Sequence, residues 1–254
     1  MKKKYLFTII FILFFIIILR IINNYIEQKD IEKFKNTNNK IPFNIFKTGS
    51  FSVLPLEIQT TIDKCCKKLK SKYYYFNDQT CRLFIKNNYD SKILMAYDTL
   101  IPTAYKADLW RFCVLYKYGG IYSDLSQEVL KSYNVNMNNC DMLLVKDRSI
   151  CYSNDNIQIS FMATIPNNKF FKYTIDSLTK DILNKRKGAC PLDVTGPVYI
   201  GKLYKRFFNL KNIPFGINNH IGIDNKLYKI NIFSYMYNNS YIKLLNGENF
   251  IKTK

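Results

Sequence analysis

Between Pro102 and Tyr118, apolar residues recur at steps of three and four: Ala104, Ala107, Leu109 with Trp110, Val114 with Leu115, and Tyr118. That period predicts a helix with one apolar face. Gly119-Gly120 ends it, and Ile121-Tyr122 predicts a short buried strand that releases the chain at Ser123-Asp124-Leu125-Ser126. Asp124 thus stands just beyond a strand's carboxyl end, where open α/β sheets place ligands. Asp108 and Arg111 lie three apart and share a helix face, so a carboxylate and a guanidinium look toward one place. Taken alone, such a pair reads as a surface ion pair worth about 0.3 to 0.5 kcal/mol.

The same reading organises the rest of the chain. Ile41 to Thr48 predicts a first strand and loop, and Leu56 to Leu69 a helix through Ile58, Ile62 and Cys65 or Cys66. Tyr73-Tyr74-Tyr75-Phe76 predicts a strand ending at Asn77-Asp78, where Asp78 reads equally as a site carboxylate or an ordinary turn residue. Met142 to Val145 and Ile157 to Ile165 are strand candidates, and Phe170 to Leu183 is a helix. Thr195-Gly196-Pro197 reads either as a tight turn that lets backbone approach a ligand or as a plain helix N-terminus with proline near its first position. Strands alternating with helices predict a layered α/β domain with a mainly parallel sheet.

The first twenty-two residues have a different pattern. After Lys2 to Lys4, Tyr5 to Leu19 is apolar but for Thr8, and Ile21-Ile22 continues it after Arg20. That is close to the ~20 residues of a transmembrane helix. No small-residue cleavage site follows, so the segment reads as a single-pass signal anchor over 5–22 and not as a cleaved signal peptide. The lysines set the N-terminus on the cytoplasmic side and the remainder beyond the membrane, an endoplasmic reticulum or Golgi-like placement in a eukaryotic host. Residues 23–40 are polar and suit a stem, leaving 41–254 as the globular domain.

Composition alters this picture in two respects. A chain of 254 residues with 48% hydrophobic content can bury a sizeable core. The formal charge of +19 favours anionic partners, either a membrane surface or a phosphorylated small molecule. No Arg-rich run or RNA-recognition aromatic motif accompanies it, which argues against nucleic acid. His220 is the only histidine, so no His-based metal cluster or catalytic triad can be assembled. The seven cysteines contain no C-x-x-C, and their odd number leaves at least one without an intramolecular partner.

The run Lys106-Ala107-Asp108-Leu109-Trp110-Arg111, then Leu115-Tyr116, then Gly119-Gly120-Ile121-Tyr122-x-Asp124 resembles the Asp-x-Asp glycosyltransferases of family 32, related to the yeast initiating α-1,6-mannosyltransferase and the α-1,4-galactosyltransferases. Ile41 to Thr48, Ile159 to Asn168 and Thr195-Gly196-Pro197 resemble further segments of that family. The resemblance implies a GT-A-like domain that transfers a hexose from a UDP- or GDP-sugar to a glycan or lipid acceptor, with retention. It implies Asp124 and Asp108 as catalytic residues. The donor would be bound by Asp108, Arg111, Asp78, Gly119, Gly120, Tyr122, Thr195 and Gly196. A Mn or Mg ion would lie on Asp124 and the motif's second position.

That second position is Ser126 where the family has aspartate. A neutral hydroxyl is a weaker ligand for a hard cation than a carboxylate. This departure motivates a rival reading, a weakened or non-catalytic nucleotide-sugar or glycan-binding protein. A basic membrane-anchored interaction protein is a third reading and requires the motif to be accidental. Asn238-Asn239-Ser240 also matches the glycosylation acceptor pattern.

Overall fold

The computed structural model describes residues 41–69, 71–125, 127–129, 141–147, 151, 153–213, 221–222 and 228–230, with 11, 14, 15, 17 and 18 near the N-terminus. The chain divides into two units, Met1–Asn38 and Asn39–Lys254. In the first, the five described positions are helical, and Phe11, Phe14, Phe15 and Ile17 expose their side chains. Among the described residues no helix is long and apolar enough to cross a membrane, and the rest of the expected span over 5–22 lies outside them. Outside them too are Ser126, His220 and the acceptor pattern at 238–240.

The second unit begins with β1 (Asn44–Gly49), α1 (Leu56–Leu69) and β2 (Lys72–Asn77), in which the two strands pair in parallel. Ile58, Ile62 and Cys66 are buried at successive four-residue steps of α1, which fixes the face it turns to the sheet. Two short helices follow that the sequence pattern had not marked: α2 (Asp78–Asn88) and α3 (Ser91–Thr99). Their N-caps carry a recognisable signal, because Asn77 accepts from the Thr80 amide and Asp90 from the Lys92 and Ile93 amides.

Next come α4 (Thr103–Tyr118), β3 (Gly120–Ser123) and β4 (Gln127–Val129). The expected single apolar face of α4 needs correction: Asp108 through Leu115 are all buried. A helix buried on every side must be covered on every side. Here α2, α3, β1 and β3 surround it, together with β6 (Ile157–Thr164), which follows β5 (Met142–Lys146), and α5 (Lys169–Leu183). A 3₁₀ turn at Pro191–Asp193, α6 (Pro197–Phe207), β7 (Ile221–Gly222) and β8 (Tyr228–Ile230) complete the order.

The main sheet runs β2-β1-β3-β6-β5-β7, while β4 and β8 form a separate antiparallel pair. Five strands of the main sheet share a direction, so it is mainly parallel, with β6 alone running against both neighbours. The sequence carries no signal for this, since strand direction depends on how far the intervening chain travels. Alternate residues feed two cores. Phe46, Tyr122, Met162 and Leu144 stand in register facing α4, while Ile45, Ile121, Ala163 and Leu143 stand in register on the opposite face.

Candidate active site

The turn from α4 into β3 sets the geometry of everything beyond it. Gly119 ends the helix at φ 62 with its amide on Leu115 O at 2.8 Å, and Gly120 follows at φ 106. A Cβ on Gly119 would stand 2.6 Å from Pro166, and one on Gly120 would stand 2.6 Å from Asn44 O. Both positions therefore need glycine for backbone angle and for space. Neither lines the cavity described below, so their part is to aim β3 and not to touch a ligand.

Beyond the carboxyl ends of β1, β2 and β3 lies a cavity of about 340 Å³. Asp78, Asp108, Arg111, Tyr122, Asp124 and Gly196 line it, which brings six of the expected site residues together from four segments of chain. The first two turns of α4 contribute the small side chains of Ala104 and Ala107, and β1 contributes Thr48 and Gly49.

Arg111 is the hub. Its Nη2 lies 3.0 Å from Asp108 Oδ1 and its Nη1 3.4 Å from Asp124 Oδ1, while Nη1 donates to Ile159 O at 2.6 Å and Nε to Ala107 O at 3.1 Å. The guanidinium also stacks 4.4 Å from the Tyr122 ring centroid, and the Tyr122 hydroxyl donates to Asp124 Oδ1 at 2.6 Å. Asp108 completes the knot by accepting at Oδ2 from the Thr195 hydroxyl at 2.6 Å. Arg111 and Asp108 are not the surface pair that their spacing alone suggested: their side chains are 7% and 10% exposed.

Burial pushes the Asp108 carboxyl up to about 6, against the opposing pull of Arg111 and the Thr195 hydroxyl. Burial likewise raises the Tyr122 phenol well above its ordinary value, keeping it a neutral donor to Asp124. Asp78 is raised by burial, with Lys106 opposing.

Thr195 was expected to bind ligand, yet it is fully buried and does not line the cavity; it orients Asp108 instead. Of its two open readings, Thr195-Gly196-Pro197 follows the helix-start one. Gly196 caps α6 and Pro197 takes its first position, and both also face the cavity.

Sequence reasoning missed several residues here. Lys47 is 2% exposed, and its Nζ donates to Asp124 O at 2.9 Å, Ser123 Oγ at 3.2 Å and Ser123 O at 3.3 Å. It holds the strand end from which the Asp124 carboxylate projects. A lysine following Ile45-Phe46 inside a strand was the available signal, since a buried ammonium must have acceptors. Asp147, Gln158 and Ser160 also line the cavity.

The β5–β6 ladder explains how β6 serves the site. Leu144 faces Met162, but the next residue, Val145, faces Gln158, so residues 159–161 bulge out of register with β5. The bulge frees Ile159 O, which a regular β5–β6 ladder would use and which receives Arg111, while Ser160 O receives the Asp124 amide at 2.8 Å in continuation of the β3–β6 register. On the opposite side of the cavity, the Cys151–Cys190 disulfide and the pairing of Lys202 with buried Asp193 at 2.8 Å hold the 190–197 segment in place.

Among the described residues no group of three or more His, Cys, Asp or Glu gathers to hold a metal. A cage is not required for Mg or Mn, which keep several waters and take one or two carboxylates plus phosphate oxygens. Asp124 fits that role: Tyr122 and Arg111 both meet its carboxylate at Oδ1, and its side chain is 29% exposed at the cavity wall.

Residues 55–150 match a family model described as the glycosyltransferase sugar-binding region containing the DXD motif. The chain is 35% identical over 96 residues to inositol phosphoceramide mannosyltransferase 3 of Schizosaccharomyces pombe, covering 37% of this chain and 26% of the relative. It is 31% identical over 114 residues to the initiation-specific alpha-1,6-mannosyltransferase of Candida albicans, covering 41% of this chain and 29% of that one. The chain thus spans little more than a quarter of the length of these curated relatives. A solved structure, the PaToxG glycosyltransferase, superposes with a TM-score of 0.52 at 17% identity, covering 74% of this chain and 80% of that one, which is a likeness of fold. The match over 55–150 takes in Asp78, Asp108, Arg111, Tyr122 and Asp124, so the segment that supplies most of the cavity's charged residues is similar to the DXD-containing sugar-binding region of glycosyltransferases.

Proposed function

We propose that this chain is a GT-A-type glycosyltransferase, anchored by its N-terminal apolar segment, that transfers a hexose from a UDP- or GDP-sugar to a glycan or lipid acceptor with retention. The observation that carries the reading is the Asp108–Arg111–Tyr122–Asp124 knot at the carboxyl ends of three parallel strands. The mannosyltransferases among its relatives favour a mannosyl donor.

In the transfer, the bond between the anomeric carbon and the diphosphate oxygen breaks, and the electron pair leaves with the nucleoside diphosphate. The acceptor hydroxyl oxygen bonds to that carbon, and its proton passes to the departing diphosphate, which retention places on the same face. The chain's own task is electrostatic. Arg111 presents a preorganised cation whose position Asp108, Ile159 O and Tyr122 over-determine, so little reorganisation accompanies charge development. Asp108, whose two oxygens already bind Arg111 and Thr195, has lone pairs left for a sugar hydroxyl. A divalent cation held on Asp124 would neutralise the diphosphate. Ser126 would add at most a neutral oxygen, so Ser126→Asp is expected to raise metal affinity without loss of turnover.

The exposed apolar side chains at Phe11, Phe14, Phe15 and Ile17 support anchoring. The Cys151–Cys190 disulfide supports an oxidising compartment for the domain, beyond the membrane from a cytoplasmic N-terminus. The test is hydrolysis and transfer with a panel of UDP- and GDP-hexoses using the purified full chain, with and without Mn. Metal-dependent release of nucleoside diphosphate is the expected result. Saturable binding without turnover in every condition would select a binding protein instead.

A further inference from the structure

Gln158 stands opposite Val145, at the edge of the bulge that frees Ile159 O for Arg111. It lines the cavity, yet its Oε1 is buried and accepts no hydrogen bond among the described residues. This contrasts with the neighbouring polar groups, since the Asp108 carboxylate, the Thr195 hydroxyl and the Tyr122 hydroxyl are all engaged. A buried acceptor without a donor is costly, and such exceptions call for an explanation at the place where they occur. The terminal torsion of a glutamine amide is broad, so turning this one toward the cavity forfeits no bond at the oxygen. A neutral carbonyl oxygen offers nothing to a phosphate oxygen and a full hydrogen bond to a hydroxyl.

We infer that Gln158 is a specificity-determining residue whose carboxamide oxygen accepts a hydrogen bond from a hydroxyl of the donor hexose. The inference rests on reading the cavity as a nucleotide-sugar site. β6 lies on one side of β3 and β1 with β2 on the other, which sets Gln158 and Asp78 at opposite ends of the cavity. A site built to bond a hydroxyl discriminates strongly against an analogue lacking it, because the protein group is then left unpaired.

The test compares the full chain with its Gln158→Met variant, which keeps side-chain length and removes the acceptor. Calorimetric titration would use UDP and GDP, the nucleotide sugar that the wild type binds best, and that sugar's deoxyfluoro analogues, which cannot donate at the altered carbon. The variant is expected to bind the nucleotide sugar about tenfold more weakly while its nucleoside diphosphate affinity is unchanged. One deoxyfluoro analogue should bind both proteins equally, and the ligand-free melting temperature should not fall, because no intramolecular bond is removed. Equal sugar affinity in both proteins would overturn the inference alone, as would an equal loss for the nucleoside diphosphate or a lowered melting temperature. A wild type that binds no nucleotide sugar at all would overturn the glycosyltransferase reading, and this inference with it.

Discussion

The cavity has two walls of different construction. The α4–β3 wall carries Asp108, Arg111, Tyr122 and Asp124, locked to one another by short polar contacts and backed by the Trp110 and Phe112 core. The facing wall, from β6 and the 190–197 segment, presents Gln158, Ser160, Leu192, Gly196 and Pro197 and is held by a disulfide and surface-side ion pairs. The first concentrates charge and spends its neighbours' hydrogen bonds on keeping that charge in place. The second is neutral and leaves an acceptor open. The two walls meet where Ile159 O receives Arg111 and Thr195 donates to Asp108, so the neutral wall also positions the charge.

The largest effect should come from the charged wall. Asp124→Asn removes the carboxylate that meets Arg111 and Tyr122 at the end of β3, and transfer is expected to fall about 10²–10³-fold. Full activity in steady-state assays of this variant would remove the site from where it has been drawn. Lys47→Met should cost about 10–100-fold, in the range of lost outer-shell partners, because Ser123 O and Asp124 O lose their donor and the strand end relaxes. Metal titration would separate this from simple unfolding, since more Mn should be needed for half-activation in the variant that remains folded.

Arg111→Lys keeps the charge but loses the fork that spans Asp108, Asp124 and Ile159 O. We expect roughly a tenfold higher KM for the donor with a smaller change in kcat, because the contact is made before the transition state as well as in it. Unchanged KM with a collapsed kcat would mean that Arg111 acts only in the transition state.

A smaller effect concerns pH. The fold raises the Asp108 carboxyl from its ordinary 3.8 to about 6, so the folded state binds this proton more tightly than the unfolded chain. Its contribution to stability is therefore greatest at low pH and declines as pH rises from about 4 to about 6. Donor affinity should move the other way over that interval, because the ionised carboxylate is the form that holds Arg111. Thr195→Val removes a hydrogen bond to that form and should shift the inflection upward by about half to one pH unit. An inflection unmoved in binding measurements across pH would show that Thr195 does not set it.

The smallest effect on activity belongs to the neutral wall. Cys190→Ser is expected to lower unfolding stability by about 2–4 kcal/mol in denaturant titrations while leaving the inflection near pH 6 unchanged. A shifted inflection would show that the disulfide is needed to hold Thr195 against Asp108.

The linear sequence by itself determined which residues form the charged wall. Helical spacing joined Asp108 to Arg111, Gly119-Gly120 announced the strand, and the strand's end announced Asp124, because these relations span only a few residues and follow from backbone periods. It also determined α1, α5 and most strands, whose apolar periods are strong, but left α2 and α3 unmarked despite the capping residues Asn77 and Asp90. What the tertiary structure decided lies between distant segments. The reversed direction of β6, its bulge at 159–161, the Lys47 contact to Ser123 and Asp124, the bond from Thr195 to Asp108 and the pairing of Cys151 with Cys190 each join residues far apart in the chain. No local period encodes such contacts; they exist because packing two cores on one sheet leaves particular buried polar groups within reach of one another, and burial then compels them to pair.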